Sequence, residues 1–377
     1  MPAYLDFNAS APVDERVLSY MIDIYRNHYG NADSRTHIFG TDAKAIVAAS
    51  RKTIANILGI ESTDLFFTSG STESNNMAIL GLIDYAQRTG KTHFITTAIE
   101  HKSVLESMKY LESLGFKVDY VSPDESGRIR VNQILDLITE KTVLVSMMHV
   151  NSETGIIQPI KELGEALSQK NVFYHIDATQ GFGKLNEELR ATKYDMMSFT
   201  AHKIGGPQGI GALVLRRDKR TYKRPPIKPL LYGGPQERGY RPGTTPVALV
   251  AGFARAAELC NDEAEEHLEA CKKIKDKIID SIRDLNYKIN GDQRYCLPNT
   301  LNVSFTGVDA EGIFLALKDS YAFSNGSACN SGSHKPSYVL SAMGLDYERI
   351  NEAIRISWNY DCNYNFSKLV DYIKDFS

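Results

Sequence analysis

VFYHIDATQGFGKLNEELRATKYDMMSFTAHKIGGPQGIGALVL, residues 172–215, holds three short apolar runs, Val172–Ile176, Asp195–Thr200 and Ile210–Leu215. Two of them are followed at once by polar or titratable residues, Asp177-Ala178-Thr179-Gln180 and Ala201-His202-Lys203. Working back towards residue 64, the same texture repeats at Asp64–Thr68, His93–Thr97, Lys117–Val121 and Val143–His149. Most of these runs are separated by segments long enough for a helix, such as Ser103–Leu114 and Ile160–Gln169. Strand–helix alternation of this kind predicts a mostly parallel sheet with helices on both faces. Strands buried on both sides read as continuous apolar runs rather than strict alternation.

Beyond residue 250 the texture changes. Val250–Leu285 reads as a long helical region, with Leu268, Cys271, Ile274, Ile278, Ile282 and Leu285 forming one apolar stripe. Thr300–Phe305, Ile313–Leu317 and Arg355–Ser357 follow, mixed with helices, and predict a smaller α+β unit. The expected division is a large domain over 16–249, with a small domain made of 1–15 and 250–377. The join, PQERGYRPGTTP at 235–246, has the composition of a loop.

The chain has 377 residues, 42% apolar and 24% charged, with a formal net charge of −3. That balance excludes collagenous, low-complexity and largely disordered chains. The charge gives no reason to expect direct nucleic-acid or membrane affinity. No apolar run approaches the roughly 20 residues needed to span a bilayer. Five cysteines, at 260, 271, 296, 329 and 362, show no CxxC or Cys/His spacing. No metal site is therefore expected, and a reducing cytoplasm fits the pattern. The N-terminus, MPAYLDFNASAP, does not read as a signal peptide.

Ligands of open α/β sheets bind outside the carboxyl ends of the strands. Five strands deliver polar residues there: Ser69–Ser74, Glu100-His101-Lys102, Asn151-Ser152-Glu153, Asp177–Gln180 and Ala201-His202-Lys203. Each has a bland reading alone. Ser69–Ser74 is either an anion cup or a plain helix cap. His101 could be structural or a surface residue, and Lys203 an exposed loop lysine. Asp177, directly after an apolar strand, needs a cationic or hydrogen-bonding partner. Taken together, a carboxylate for a ring nitrogen, a lysine for an aldehyde, a phosphate cup and a histidine to stack on a ring are the requirements of pyridoxal 5′-phosphate. A nicotinamide reading needs G-x-G-x-x-G after a strand, which is absent.

The motifs YLDFNASAPVD at 4–14, TSGSTESNN at 68–76, EHKSVLE at 100–106, HIDATQGFGK at 175–184, SFTAHKIGGPQGIGAL at 198–213, ERGYRPGTTP at 237–246 and SNGSACNSGSHKPSYVL at 324–340 occur in a fixed order. In these the chain resembles the class V aminotransferases of fold type I, and within them the group I, NifS/IscS-like cysteine desulfurases. The resemblance implies a seven-stranded sheet, a homodimer with active sites at the subunit interface, and L-cysteine as substrate. It implies that Lys203 holds pyridoxal 5′-phosphate, His101 stacks on the ring and moves protons, and Asp177 pairs with the ring nitrogen. Gln180 would meet the phenolic oxygen. Ser71, Thr72, Thr200 and His202 would hold the phosphate, with Thr244 reaching it from the other subunit. Arg355 would bind the substrate carboxylate, with Asn151 or Ser152 beside it.

Cys329 sits among Ser, Gly and Asn, where a cysteine has no packing role. It matches the family's travelling nucleophile, which carries sulfur to an acceptor protein as a persulfide. Cys260 and Cys271, on helical stripes, read as buried hydrophobes. The sequence departs from the family at Ser152, where a second asparagine is usual, and at Trp358-Asn359-Tyr360. The end at Ser377, without the family's long extension, is expected to point away from general iron–sulfur cluster assembly. DNA phosphorothioation, selenocysteine lysis and another class V reaction stand as alternatives. The basic residues between Arg216 and Lys228 read either as a solvated loop or as a docking patch for an acidic acceptor.

Overall fold

The computed structural model describes residues 1–218, 221–325 and 336–376. Its strands are β1 (Ala3–Tyr4), β2 (Leu65–Thr68), β3 (His93–Thr97), β4 (Lys117–Val121), β5 (Thr142–Met148), β6 (Phe173–Asp177), β7 (Met196–Thr200), β8 (Gly211–Leu215), β9 (Tyr287–Ile289), β10 (Thr300–Phe305), β11 (Tyr321–Ala322) and β12 (Ala353–Ser357). Seven of them form one sheet in the order β2-β8-β7-β6-β5-β3-β4. Only β8 is reversed, running antiparallel to both β2 and β7. All seven runs expected between 64 and 215 are strands, displaced by one residue at most.

The continuous apolar runs are explained by burial on two faces. On one face Phe67, Val145, Ile176 and Phe199 pack against helices 15–27, 38–58 and 247–262. On the other, Phe66, Phe94, Leu144 and Leu213 pack against helices 71–80 and 102–113. Because six strands share a direction, their carboxyl ends fall along one edge. There, a Cβ on Gly211 would lie 2.6 Å from the Gly70 Cα. Two glycines thus let the start of β8 press against the turn that leaves β2.

A second core gathers Leu5, Cys271, Ile278, Leu301, Ile354, Trp358 and Leu369 around the antiparallel sheet β12-β10-β9. Two expectations need correction here. The helical region is two helices, 247–262 and 264–282, meeting at Glu263. The first packs into the large core as far as Leu259, so the join expected at 249–250 falls inside it. Ile313–Leu317, grouped with the strands, belongs to helix Ala310–Leu317, whose start is capped by the Asp309 carboxylate accepting from the Gly312 N–H.

Residues 3–11 tie the two cores together. β1 pairs in parallel with β11, Asp6 bridges Ser357 of β12, and the Ala11 N–H donates to the His202 carbonyl at 2.9 Å. Among the described residues of the basic run, Lys223 and Lys228 are exposed and three arginines are engaged. Arg217 and Arg224 both pair with the buried Asp64, at 3.0 and 2.9 Å, and Arg216 lies over the Tyr194 ring. Among the described residues no helix is long and apolar enough to cross a membrane.

Candidate active site

The carboxyl edge of the sheet opens into a cavity of about 480 Å³. Ser71, Thr72, His101, Ser152, Asp177, Gln180, Thr200, His202, Lys203 and Arg355 all line it. Ten positions separated by up to 284 residues therefore reach one space, because each follows a strand end or, for Arg355, lies on β12.

Asp177 closes β6 and is buried. Both its oxygens are held: Oδ2 accepts from Asn75 Nδ2 at 2.8 Å, and Oδ1 from the Thr179 N–H at 3.0 Å and the Thr179 hydroxyl at 2.5 Å. Thr179 and Asn75 were not singled out in the sequence. Their signal was spacing: Thr179 lies two residues past Asp177, and Asn75 one helical turn past Ser71. His101 caps helix 102–113, its Nδ1 accepting the Ser103 N–H at 3.1 Å. That places the proton of the neutral ring on Nε2. Burial holds the His101 pKa down; Asp177 opposes, while Lys203 and Lys102 add to the depression.

Lys203 Nζ donates to the carbonyls of Asn8 at 2.7 Å and Ala9 at 2.5 Å. The lysine is thus parked on the 3–11 segment rather than turned to solvent. Gln180 is held by the same segment, donating from Nε2 to the Asn8 carbonyl at 2.8 Å, while its Oε1 accepts from Lys184 at 3.2 Å.

The expected anion cup is the start of helix 71–80. Its cap residue is Gly70, at φ +155°, with no side chain to occupy the first-turn N–H groups. The hydroxyls of Ser71, Thr72 and Thr200 surround it, with His202 Nδ1 3.1 Å from Thr200 Oγ1. A Cβ on Gly70 would stand 3.8 Å from Thr200 Oγ1, inside the cradle. Burial, then Lys203 and His101, press the His202 pKa down to about 4, so its ring is neutral. The Glu73 carboxylate accepts from the Ser69 N–H and Arg241 Nε. Uncapped N–H groups, hydroxyls and a neutral imidazole suit a phosphate. With Asp177 and Lys203 across the cavity, the residues fit pyridoxal 5′-phosphate.

Arg355 is 3% exposed. Its Nη1 donates to the Ser152 carbonyl at 3.0 Å and its Nη2 to Asp6 Oδ1 at 2.5 Å. Glu153, fully buried beside it, accepts from Ser337 Oγ at 2.5 Å; burial lifts its pKa to about 7, against that hydrogen bond and Arg355. Glu100 is also fully buried and pushed up to about 8 by burial, although Thr97 and the Met148 N–H donate to it. Its carbonyl accepts from Tyr338.

Two of the described site residues, Asn151 and Thr244, do not line this cavity. Asn151 is a correction: its Oδ1 accepts from the Glu153 and Thr154 N–H groups, both at 2.9 Å, and its Nδ2 donates to the Ile99 carbonyl. The amide is spent on shaping the 151–155 turn. Thr244 is exposed in a separate depression with Ile24, Tyr25 and His28. Its loop is held by a turn at Glu237 and Arg238, both with positive φ, 45° and 56°. The buried Glu237 carboxylate grips Arg51 through both terminal nitrogens, at 2.7 and 2.6 Å, and accepts the Phe67 N–H. Cys329 lies outside the described residues.

Fold and site together define the class. The Aminotransferase class-V family matches residues 3–372, and the chain belongs to that family. It is 42% identical over 360 residues to the cysteine desulfurase IscS of Escherichia coli and of Enterobacter sp., covering 95% of this chain and 88% of theirs. DndA from Streptomyces lividans superposes with a TM-score of 0.83 at 42% identity, over 93% of this chain and 98% of that one. A NifS-like protein superposes at 0.88 with 37% identity, over 100% and 98%. Within the family, the protein is a cysteine desulfurase.

Proposed function

We propose that the cavity binds pyridoxal 5′-phosphate and L-cysteine, and that Cys329 takes the substrate's sulfur as a persulfide for a protein acceptor. The convergence of Lys203, Asp177, His101 and Arg355 on one cavity carries this reading. When bound, the cofactor supplies an electron-withdrawing ring for the substrate's α-carbon. Lys203 is the amine that holds it. Asp177, kept in place by Asn75 and Thr179, would pair with the ring nitrogen. His101 would stack on the ring, with Nε2 available to move protons. The cup at 71–72, Thr200 and His202 takes the phosphate, and Gln180 the phenolic oxygen.

Arg355 receives the α-carboxylate, with the Ser152 side chain nearby. Cys329 Sγ then attacks the substrate sulfur and the carbon–sulfur bond breaks. Cys329–SH and L-cysteine become Cys329–S–SH and L-alanine, with every atom accounted for. The exposure of Thr244, away from its own chain's cavity, supports a homodimer in which it serves the partner's phosphate cup. The two cores support a large and a small domain divided near Glu263 rather than at 249.

Cys329→Ser tests the proposal. Alanine-coupled sulfide or persulfide release should vanish while the yellow colour of the cofactor-loaded protein remains; undiminished release would overturn the assignment. A pull-down with persulfide labelling distinguishes an iron–sulfur scaffold from a phosphorothioation partner as acceptor.

A further inference from the structure

The 3–11 segment touches more of the cavity than its sequence suggests. Asn8 and Ala9 hold Lys203 through their carbonyls. The Asn8 amide donates to the Ser152 carbonyl at 3.1 Å and to Thr300 Oγ1 at 2.9 Å. Asp6 meets Arg355, and the pair is asymmetric: the carboxylate is 20% exposed, the guanidinium 3%. A charge buried that deeply needs a fixed partner when no anionic ligand is present.

The geometry of the pair does more than neutralise. Asp6 takes Nη2 and the Ser152 carbonyl takes Nη1, so the plane of the guanidinium is fixed at both terminal nitrogens. A guanidinium carries five N–H donors, so the same two nitrogens can serve the protein and a carboxylate at once. Asp6 is itself fixed by the backbone bridge to Ser357, two residues beyond Arg355 on β12. The tether is therefore short.

Resting on the proposed function, we propose that Asp6 is a positioning residue: it aims Arg355 at the substrate α-carboxylate and so sets the preference for an α-amino acid over an aminothiol without a carboxylate. Ser152 makes the dependence sharper. Where the family usually has an asparagine, this chain offers a short hydroxyl, and its backbone carbonyl is already engaged by Arg355 and Asn8.

The test uses the cofactor-loaded full chain with Asp6→Ala and Asp6→Asn. For Asp6→Ala, KM for L-cysteine should rise about tenfold, as expected for loss of one charge-assisted contact. The turnover number should stay within about threefold of the parent chain. Competitive inhibition by cysteamine, which has the amine and thiol but no carboxylate, should be unchanged. Asp6→Asn should shift KM in the same direction by a smaller factor. An unchanged KM overturns the proposal. So does cysteamine inhibition weakening in step with KM, because the pocket as a whole would then have collapsed. Failure of both variants to fold makes Asp6 structural and overturns it too. Failure of the unmodified chain to make alanine from L-cysteine would instead sink the proposed function.

Discussion

The cavity has two walls built in different ways. The first, with Ser71, His101, Asp177, Thr200 and Lys203, comes from successive strand ends of one sheet. Each residue is placed by the strand before it; near neighbours such as Thr179 and Ser103 help hold Asp177 and His101, while Asn8 and Ala9 hold Lys203. The second wall, with Asn8, Ser152, Glu153 and Arg355 and the residues that hold them, Asp6 and Ser337, is collected from four distant parts of the chain. A wall made of local motifs keeps its geometry wherever the sheet forms. A wall made of long-range contacts depends on how the second core seats against the first, and it is where this chain departs from its family.

The contrast is open to direct attack. The largest effect should come from the local wall. Lys203→Ala is expected to lower alanine formation from L-cysteine by at least about 10³-fold and to remove the absorbance of the protein-linked cofactor. Alanine formation within tenfold of the parent would show that the strand-end wall is not the reacting one.

A smaller effect belongs to the long-range wall. Glu153 is lifted from an ordinary value of 4.5 to about 7, chiefly by burial. The folded chain thus binds this proton more tightly than the unfolded chain does. The contribution of this group to stability is fullest below pH 4.5, falls by at most about 1.4 kcal/mol per pH unit as the pH rises towards 7, and levels off above. Glu153→Gln keeps an acceptor for Ser337 and removes the titration. Its thermal unfolding midpoint should exceed the parent's at pH 8 and match it near pH 4.5. An equal shift at both values would mean that Glu153 titrates alike in the folded and unfolded chain.

The smallest effect concerns Ser152. Restoring the family's amide with Ser152→Asn should lower KM for L-cysteine by about threefold, one added neutral hydrogen bond. An unchanged or raised KM in steady-state assays would show that this side chain does not reach the substrate.

The same contrast explains what could be read in advance. Asp177, Lys203 and His101 are legible because a strand followed at once by a polar residue has a physical meaning independent of the rest of the chain. All seven strands were found for the same reason. Asn151 misled because an amide at a strand end can serve a ligand or its own turn, and only the Glu153 and Thr154 N–H groups decide which. Asp6 carried no local signal, and Glu153, although it follows a strand end, gains its buried partner Ser337 only from a distant part of the chain; Asp6 gains its meaning when β12 and the N-terminal segment meet. The Ile313–Leu317 run was ambiguous because a five-residue apolar stretch fits either element, and the Asp309 cap tips it to a helix.

Glu237 and Arg238 hold left-handed backbone at an expense of about 1–2 kcal/mol each, offset within the chain by the grip on Arg51. The contour bearing Thr244 is consequently moulded during folding. A surface that meets it encounters a finished shape, and little disorder remains to be lost at contact.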